Sequence, residues 1–255
     1  MLPFFLSQLA DLSLPGKTVS VWVLDDTLIE PACSALERTL SPDERGRARA
    51  YRQEKHRNRF VARRGVLRWL IGACLSCNPE SLRFNVTPFG QLVLLGSYSE
   101  RLAFSISQTD GMALLALAWD CRVGVDVERR IDGLDMPGIG RGIFSATEQK
   151  MLDAARPDST QRLLKLWTRK EALLKALGTG LAGEPDAYAT EDDALLGESH
   201  WRASHQGSRI SGWTFLDLPV GPQFQGALAV SLEDARVALR LYPVLRRMST
   251  ETVDS

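Results

Sequence analysis

The sequence has no long hydrophobic run, although 44% of its 255 residues are hydrophobic. No apolar stretch approaches the ~18 to 20 residues that a membrane-spanning helix requires. The opening residues, MLPFFLSQLADLSLPG, lack the basic start and the small-residue cleavage site of a signal peptide. We therefore expect a soluble, cytoplasmic protein with no membrane partner. A chain of this length and composition is large enough to bury a sizeable hydrophobic core.

Histidine and cysteine are also scarce, with three and four residues respectively, which limits the ways in which zinc could be bound. Cys74 and Cys77 have the spacing of one half of a zinc site, but the sequence has no matching second half. Both lie in the apolar segment LRWLIGACLSC, in which positions i and i+3 share a helix face. We predict that they are buried free thiols.

The chain has no net charge, since 31 basic residues balance 31 acidic ones, but the positive charge is unevenly distributed. From Arg45 to Arg68, nine arginines and one lysine accompany a single acidic residue, Glu54. The pattern predicts a helical region with outward arginines. Guanidinium groups pair with phosphate oxygens in a bidentate way, which favours an anion site over the alternative of a solvated basic face. The apolar residues predicted to be buried there are Tyr51, Phe60, Val61, Leu67 and Leu70.

Strand patterns and helix patterns follow one another twice along the chain. TVSVWVLDD predicts a strand, followed by helical material from about Pro31 to Cys77. LRFNVTPFGQLVLL predicts a hairpin that turns at Pro88 to Gly90, and RLAFSIS predicts another strand. We expect an α/β (α+β) fold of two similar halves, residues 1–112 and 113–255, related by a pseudo-twofold axis. The active site is expected at the interface between them.

The stretch GVDVE at residues 124–128 places two carboxylates in an otherwise apolar, β-branched segment. The preceding run from Met112 to Trp119 and the turn-forming residues DCR predict a β-hairpin. Side chains alternate across a strand, so Asp126 and Glu128 share one face, roughly 6 to 7 Å apart. At that spacing they repel unless the face is solvated, a cation lies between them or one keeps its proton. A solvated edge and a magnesium site are both open at this point.

Two further segments combine helix signals with charged residues. Ser145 and Glu148 form an S-x-x-E capping box, which makes Glu148 a structural residue first. The strongest helix pattern, STQRLLKLWTRKEALLKALGTG, ends at Gly178. On it Glu171 and Lys175 are one turn apart, a spacing that a surface ion pair alone would explain.

Together these segments resemble the larger, surfactin-synthetase-activating (Sfp-type) class of 4′-phosphopantetheinyl transferases. That family shows Gly-(Val/Ile)-Asp-(Val/Ile)-Glu, then Phe-Ser-x-x-Glu, then Trp-x-x-Lys-Glu-Ala-x-x-Lys followed by Gly-x-Gly-Leu. The chain matches each defined position in the same order, and the resemblance covers roughly residues 45–185. The matching segments are Gly124 to Glu128, Phe144 to Glu148, Trp167 to Lys175 and Gly178 to Leu181.

The resemblance implies a reaction and a metal. The family transfers the 4′-phosphopantetheine arm of coenzyme A to a serine of an apo acyl or peptidyl carrier protein and releases 3′,5′-adenosine bisphosphate. Such carriers serve fatty acid, polyketide or nonribosomal peptide biosynthesis. Magnesium bound by Asp126, Glu128 and Glu171 would neutralise and orient the pyrophosphate. Glu171 is the candidate general base, and Lys175 would reach the same phosphates.

The resemblance also implies a coenzyme A site in the basic region and on the strand FSISQT. Relatives usually carry lysine and proline where this chain has Gln91 and Leu92, and histidine where it has Gln108. In the family that lysine and histidine help to hold the phosphates of coenzyme A. The candidates for coenzyme A binding here are Arg59, Arg63, Arg64, Ser107, Gln108, Lys170 and Lys175.

Alternatives to this function remain at the level of sequence. A sequence-independent nucleic-acid binder would use the arginines alone, would weaken steeply with salt and would need no magnesium. Another magnesium-dependent phosphoryl-transfer enzyme would need neither coenzyme A nor a protein acceptor, but no Walker-type loop or dinucleotide glycine pattern is present. An inactive family member is the third alternative. We expect a monomer that binds coenzyme A and a carrier protein but no nucleic acid.

Overall fold

The computed structural model describes residues 17–97, 101–130, 142–154, 159–193, 195–197 and 199–242. The α-helices in these residues are Asp26–Ile29 (α1), Cys33–Leu36 (α2), Pro42–Arg49 (α3), Glu54–Cys74 (α4), Ala146–Ala154 (α5) and Ser159–Leu177 (α6). Single turns of 3-10 helix lie at Glu30–Ala32, Glu37–Thr39, Pro79–Ser81, Gly180–Ala182 and Pro185–Ala187. The strands are Thr18–Asp25 (β1), Arg83–Val86 (β2), Leu92–Leu95 (β3), Leu102–Thr109 (β4), Met112–Trp119 (β5), Val123–Arg129 (β6), Tyr188–Asp192 (β7), Trp201–His205 (β8), Ser208–Arg209 (β9), Thr214–Leu218 (β10), Phe224–Val230 (β11) and Arg236–Tyr242 (β12).

A four-stranded sheet in the order β12-β1-β5-β4 lies between helix α4 and a second sheet, β10-β11-β6. Strand β1 is apolar on both faces because both faces are covered. Trp22 and Leu24 pack into the cluster that contains α4, whereas Val21 and Val23 pack toward β6 and β11. The strand predicted from TVSVWVLDD, the strand from RLAFSIS and the hairpin β2–β3 are confirmed.

The predicted hairpin between β5 and β6 is wrong. Strand β5 pairs with β1 and β4, whereas β6 pairs with β11 in the other sheet. The chain changes sheets at Asp120, whose φ of 53° is left-handed. The physical reason is that β5 is apolar on both faces and is buried almost throughout, which suits a central strand better than one arm of a hairpin. Alternation within β6 is as expected, because its valines point into the core between the two sheets.

The predicted helix over STQRLLKLWTRKEALLKAL is confirmed as α6, and it packs directly on β6. The contact is made at Gly124, where an added Cβ would lie 2.0 Å from the carbonyl oxygen of Ala172 and 2.5 Å from the amide nitrogen of Ala176. The helix ends at Gly178, whose φ of 79° is the left-handed conformation that glycine adopts at helix ends. The close approach therefore fixes how α6 lies against the carboxylates of β6.

Gly124→Ala is expected to destabilise the protein by ~1–3 kcal/mol or more, because the added methyl group must push α6 away from β6. Chemical unfolding in urea measures this loss. Gly46→Ala is the matched control, since an added Cβ there meets nothing within 4 Å, and it should be neutral or stabilising. Equal stability of the two variants would show that α6 and β6 are not held at backbone contact.

The mixture of helices and sheets confirms the α/β class. The division into residues 1–112 and 113–255 stays a prediction. Strand β1 pairs with both β5 and β12, so the four-stranded sheet takes strands from each of the two ranges. The pseudo-twofold relation between the halves stays a prediction.

Helix α4 holds two of its arginines inward, which corrects the expectation that the arginines point outward. The Arg68 side chain is 2% exposed, forms an ion pair with Glu44 and donates to the carbonyl oxygen of Pro79 at 2.7 Å. Arg63 is buried as well.

Cys74 near the end of the same helix is a free, half-buried thiol, and burial raises its pKa to about 11. Within the described residues no helix has the length and apolar character needed to cross a bilayer.

Candidate active site

A cleft of about 750 Å³ opens between helix α4, the hairpin β2–β3, strands β4 and β6, and helix α6. Both predicted halves of the chain contribute residues to it. From the first come Arg47, Tyr51, Phe60, Arg63, Arg64, Leu67, Val86, Phe89, Gly90, Gln91, Leu92, Phe104, Ser105, Ile106, Ser107 and Gln108. From the second come Asp126, Glu128, Trp167, Glu171, Lys175, Gly180 and Leu181.

The acidic end of the cleft is built where α6 lies on β6. Asp126 and Glu128 are two residues apart on the strand and therefore share its outer face. Glu171 and Lys175 are one turn apart on the helix, on the face that meets that strand. All four side chains line the cleft. The structure thus brings together the three carboxylates proposed from sequence as metal ligands and the lysine proposed to bind phosphate.

Asp126 is the buried centre of this group, with a side chain only 3% exposed. Its Oδ1 accepts a hydrogen bond from the Ser107 hydroxyl at 2.7 Å and from the Lys175 ammonium at 2.6 Å. Its Oδ2 is buried and has no hydrogen-bond partner among the described residues. A buried carboxylate oxygen without a partner costs free energy, so this atom is available to a ligand.

Burial disfavours the charged form of the other two carboxylates, Glu128 and Glu171. Burial and the charge of Asp126 raise the pKa of Glu128, while Lys175 and hydrogen bonds with Trp167 and Thr109 lower it in part. Burial also raises the pKa of Glu171, Lys175 lowers it and Asp126 adds to the rise. A cation among these groups would relieve both the desolvation and the repulsion.

The donor set fits a hard divalent cation, although the side chains as they stand do not form a finished metal site. Within the described part of the chain, no group of three or more histidine, cysteine, aspartate or glutamate residues is arranged to hold a metal ion. The Lys175 ammonium instead satisfies one oxygen of Asp126. Three carboxylates on one cleft, one of them with an unpartnered buried oxygen, are the oxygen ligands that magnesium prefers.

The basic side of the cleft contains Arg63, which also has a structural role. Its guanidinium donates from two nitrogens to the Asp26 carboxylate, each at 2.8 Å. It also donates to the Gln108 side-chain oxygen at 3.3 Å and to the Thr109 carbonyl oxygen at 2.9 Å. Because Arg63 uses the amide oxygen of Gln108, the amide NH₂ of Gln108 is the group left to donate to a ligand.

Arg64 and Arg47 flank the ring of Phe60 at the same side of the cleft. The Arg64 guanidinium lies 5.9 Å from the ring centroid and pairs with Glu44 at 3.3 Å, and that of Arg47 lies 5.1 Å from the centroid. Burial lowers the pKa of Arg64, while Glu44 raises it. Arg47 is exposed, and no ion pair is found for it among the described residues. Two guanidinium groups beside an aromatic ring suit an anionic ligand that carries a planar ring.

Two of the residues proposed from sequence do not line the cleft. Arg59 pairs with Asp26, at 2.9 Å, and with Asp110. Lys170 is fully buried outside the cleft lining, and its ammonium donates to Glu148 at 2.6 Å and to the carbonyl oxygens of Pro185 and Tyr188. Both cations are paired with internal carboxylates, and their binding of phosphate stays a prediction.

Glu148, the partner of Lys170, has the structural role predicted for it. Its Oε2 accepts from the Ser145 amide at 2.9 Å, which completes the capping box of α5. Its Oε1 accepts from the amide and the hydroxyl of Thr190, each at 2.9 Å. The Phe-Ser-x-x-Glu segment therefore joins α5, α6 and β7.

Other cleft residues were not among the site residues proposed from sequence. Trp167 precedes Glu171 by one turn of α6, so the helix period alone could have identified it. Arg47 belongs to the basic run, but nothing in that run distinguishes it from neighbouring arginines that point elsewhere. Gln91, Phe89 and Leu181 come from two loops that are remote in sequence, and only the tertiary fold brings them together.

Comparison with known proteins gives consistent matches. The sequence profile of the 4′-phosphopantetheinyl transferase superfamily matches residues 122–220. The chain is 31% identical over 174 residues to the 4′-phosphopantetheinyl transferase HetI of Nostoc sp., a match that covers 68% of this chain and 73% of that protein. It is 28% identical to a 4′-phosphopantetheinyl transferase of Bacillus subtilis, over 59% of this chain and 65% of the relative. It is 27% identical to the L-aminoadipate-semialdehyde dehydrogenase-phosphopantetheinyl transferase of Schizosaccharomyces pombe, over 57% and 62%.

Proposed function

The chain belongs to the 4′-phosphopantetheinyl transferase superfamily, and on that premise we propose that it carries out a magnesium-dependent transfer from coenzyme A. The 4′-phosphopantetheine arm moves to a serine of an apo acyl or peptidyl carrier protein, and 3′,5′-adenosine bisphosphate is released. The observation that carries the proposal is that the three carboxylates and Lys175 line the same cleft as the arginines of α4. The mass of an apo carrier domain after incubation with the protein, coenzyme A and magnesium tests it.

The metal part of the proposal rests on Asp126, Glu128 and Glu171. These side chains would hold the magnesium ion, with the unpartnered Oδ2 of Asp126 as one available ligand atom. When bound, the ion supplies charge neutralisation on the pyrophosphate of coenzyme A and favours in-line attack at phosphorus. The raised pKa values of Glu128 and Glu171 support a cation at this position, since both carboxylates lack a sufficient counter-charge in the protein alone.

The remaining chemistry falls to residues of this chain. The serine oxygen of the carrier forms a bond to phosphorus, and the bond from phosphorus to the bridging oxygen breaks, so that 3′,5′-adenosine bisphosphate leaves. Glu171 is the group proposed to accept the proton of the serine hydroxyl. Lys175, one quarter exposed, donates to the phosphates as a mobile cation.

Coenzyme A binding is assigned to the basic side of the cleft. Arg63, Arg64, Ser107 and Gln108 line it, and we add Arg47 to this set because it is exposed and lies over Phe60. Arg59 and Lys170 are left out of the proposed site because neither side chain lines the cleft. Ser107 has a further role, since its hydroxyl donates to Asp126 and orients that carboxylate.

Arg47→Ala and Arg64→Ala are expected to raise the KM for coenzyme A by about tenfold, which corresponds to the loss of one charged hydrogen bond. The KM for dephospho-coenzyme A should change little, since that molecule lacks the 3′-phosphate. Steady-state kinetics with both substrates measures the difference. Arg49→Ala is the matched control, because Arg49 is exposed on the same helix as Arg47 and does not line the cleft. Equal effects on the two substrates would show that neither arginine binds the 3′-phosphate.

A nucleic-acid interface is less well supported by the same residues. Arg57 pairs with Glu37, Arg59 and Arg63 with Asp26, and Arg64 and Arg68 with Glu44, so much of the basic charge is neutralised internally. Counterion release needs exposed, unpaired cations. The proposed partners are therefore coenzyme A and a carrier protein rather than nucleic acid. The expectations of a monomeric, cytoplasmic protein without a membrane partner are kept as part of the proposal.

A further inference from the structure

The hairpin β2–β3 forms one wall of the cleft and is attached to the fold mainly at its base. Its two strands pair only with each other among the described strands. At the base, Leu94 is buried, and the ring of Phe84 meets that of Phe104 edge-on at 5.9 Å. At the tip, Val86 and Phe89 are 53% and 55% exposed. The tip therefore needs another contact if it is to keep a fixed position beside the cleft.

Gln91 provides that contact. Its side-chain amide nitrogen donates to the backbone carbonyl oxygen of Lys175 at 3.1 Å, across 84 residues of sequence. This carbonyl lies in the last turn of α6, where carbonyl oxygens have lost their usual helical partners. The amide of Gly178 also donates to it, at 3.2 Å, so Gln91 supplies a second donor to an oxygen with two lone pairs.

The turn that presents Gln91 is itself well ordered by hydrogen bonds. The Thr87 amide donates to the Gln91 carbonyl oxygen at 2.8 Å, and the Gly90 amide donates to the Thr87 carbonyl oxygen at 2.9 Å. The backbone amide of Gln91 in turn donates to the Thr87 hydroxyl at 3.1 Å. The backbone of Gln91 is thus fixed within the turn, and its side chain is the part that reaches across to α6.

A second contact lies beside the first, where the turn meets the loop that follows α6. A Cβ added at Gly180 would lie 3.6 Å from the Cβ of Phe89 and 3.7 Å from its carbonyl oxygen. Gly180 has a φ of 55°, a conformation that brings the loop backbone against the turn without strain. Phe89, Gly90 and Gln91 on one side and Gly180 and Leu181 on the other therefore form a continuous edge of the cleft.

From these contacts we infer that Gln91 is a positioning residue, which fastens the hairpin tip to the end of α6 and so holds this wall of the cleft beside Lys175. The inference rests on the proposed function, because it assigns the fastened wall to coenzyme A binding. Gln91 acts through the backbone of Lys175 and through the turn rather than on the reacting atoms. Its loss should open the wall without removing any group that takes part in the chemistry.

Gln91→Met tests the fastening, since methionine has a similar length but donates no hydrogen bond. Amide exchange of residues 85–92, measured by mass spectrometry on the full chain without ligand, should become roughly 2- to 12-fold faster, the factor expected for one neutral hydrogen bond. Gln149→Met is the matched control because Gln149 is exposed on α5, outside the cleft, and its variant should exchange like the wild type. Gln91→Arg, which keeps a long side chain with N–H donors, should restore much of the protection.

Kinetics then tests the positioning. For Gln91→Met the KM for coenzyme A should rise by roughly 2- to 12-fold while kcat stays close to that of the wild type, because the reacting groups are unchanged. If amide exchange in Gln91→Met were as slow as in the wild type, Gln91 would not fasten the hairpin. Faster exchange with an unchanged KM for coenzyme A would show that the fastening does not position the coenzyme A site. If the wild-type protein itself transferred nothing, the proposed function would fail, and exchange alone would still decide whether Gln91 fastens the hairpin.

Discussion

Glu171→Gln is expected to lower the rate of transfer by about 10²- to 10⁴-fold, the usual contribution of a general base. Glutamine keeps the shape of the side chain but accepts no proton and is a weaker metal ligand. Asp126→Ala and Glu128→Ala should each abolish transfer, because each removes a proposed metal ligand. Single-turnover transfer to an apo carrier domain at saturating coenzyme A measures the effect.

Stability should not fall in the Glu171→Gln variant. Burial raises the pKa of Glu171, so at pH values above its unfolded pKa the folded state disfavours the charged carboxylate. A neutral amide removes that unfavourable term, and the melting temperature should stay constant or rise. Glu233→Gln is the matched control, because Glu233 is exposed outside the cleft and its variant should transfer like the wild type. Near-normal transfer by Glu171→Gln would rule it out as the base, whereas a collapsed melting temperature would point to a structural role.

Lys170→Met is expected to destabilise the protein by ~3–5 kcal/mol, because it leaves the Glu148 carboxylate buried without its cation. Both side chains are completely buried, and burial lowers the pKa of Lys170 while Glu148 raises it. For a chain of this size the loss corresponds to a melting temperature lower by roughly 6–20 °C. Urea unfolding and thermal melting both measure it.

The double variant Lys170→Met/Glu148→Gln separates the ion pair from simple packing. It removes both charges, so much of the stability lost in the single variant should return. Lys150→Ala is the control for loss of a lysine, since Lys150 is exposed on α5. If Lys170→Met kept its melting temperature but raised the KM for coenzyme A, the expectation from sequence that Lys170 binds phosphate would be favoured over the buried pair.

Local patterns in the sequence were enough to place the acidic residues within their elements, and the family resemblance joined them into one proposed site. Period-two alternation placed Asp126 and Glu128 on one face of a strand, and the helix period placed Glu171 one turn from Lys175. Both patterns act within a single element, so no knowledge of tertiary contacts was needed. The capping box at Ser145 and Glu148 could be predicted for the same reason, and the structure confirms it.

Interactions between distant elements could not be predicted in this way. The apolar run of β5 suited a hairpin arm as well as a central strand, and its choice of partners depends on β1 and β4. Lys170 and Arg63 look like surface cations in sequence, yet Glu148 and Asp26 neutralise them in the interior. The contact of Gln91 with Lys175 depends on how the hairpin lies against α6, which no local pattern encodes.

The most direct test of the proposed function is the intact mass of several apo carrier domains after incubation with this protein, coenzyme A and magnesium. The account predicts that at least one carrier gains the mass of one phosphopantetheine group on its serine. The gain should be absent when magnesium is chelated or when the serine is replaced by alanine, and it should form about 10²- to 10⁴-fold more slowly when Glu171→Gln replaces the wild-type protein. A mass gain that is indifferent to magnesium and to the Glu171→Gln change, or no gain with any carrier, would contradict it.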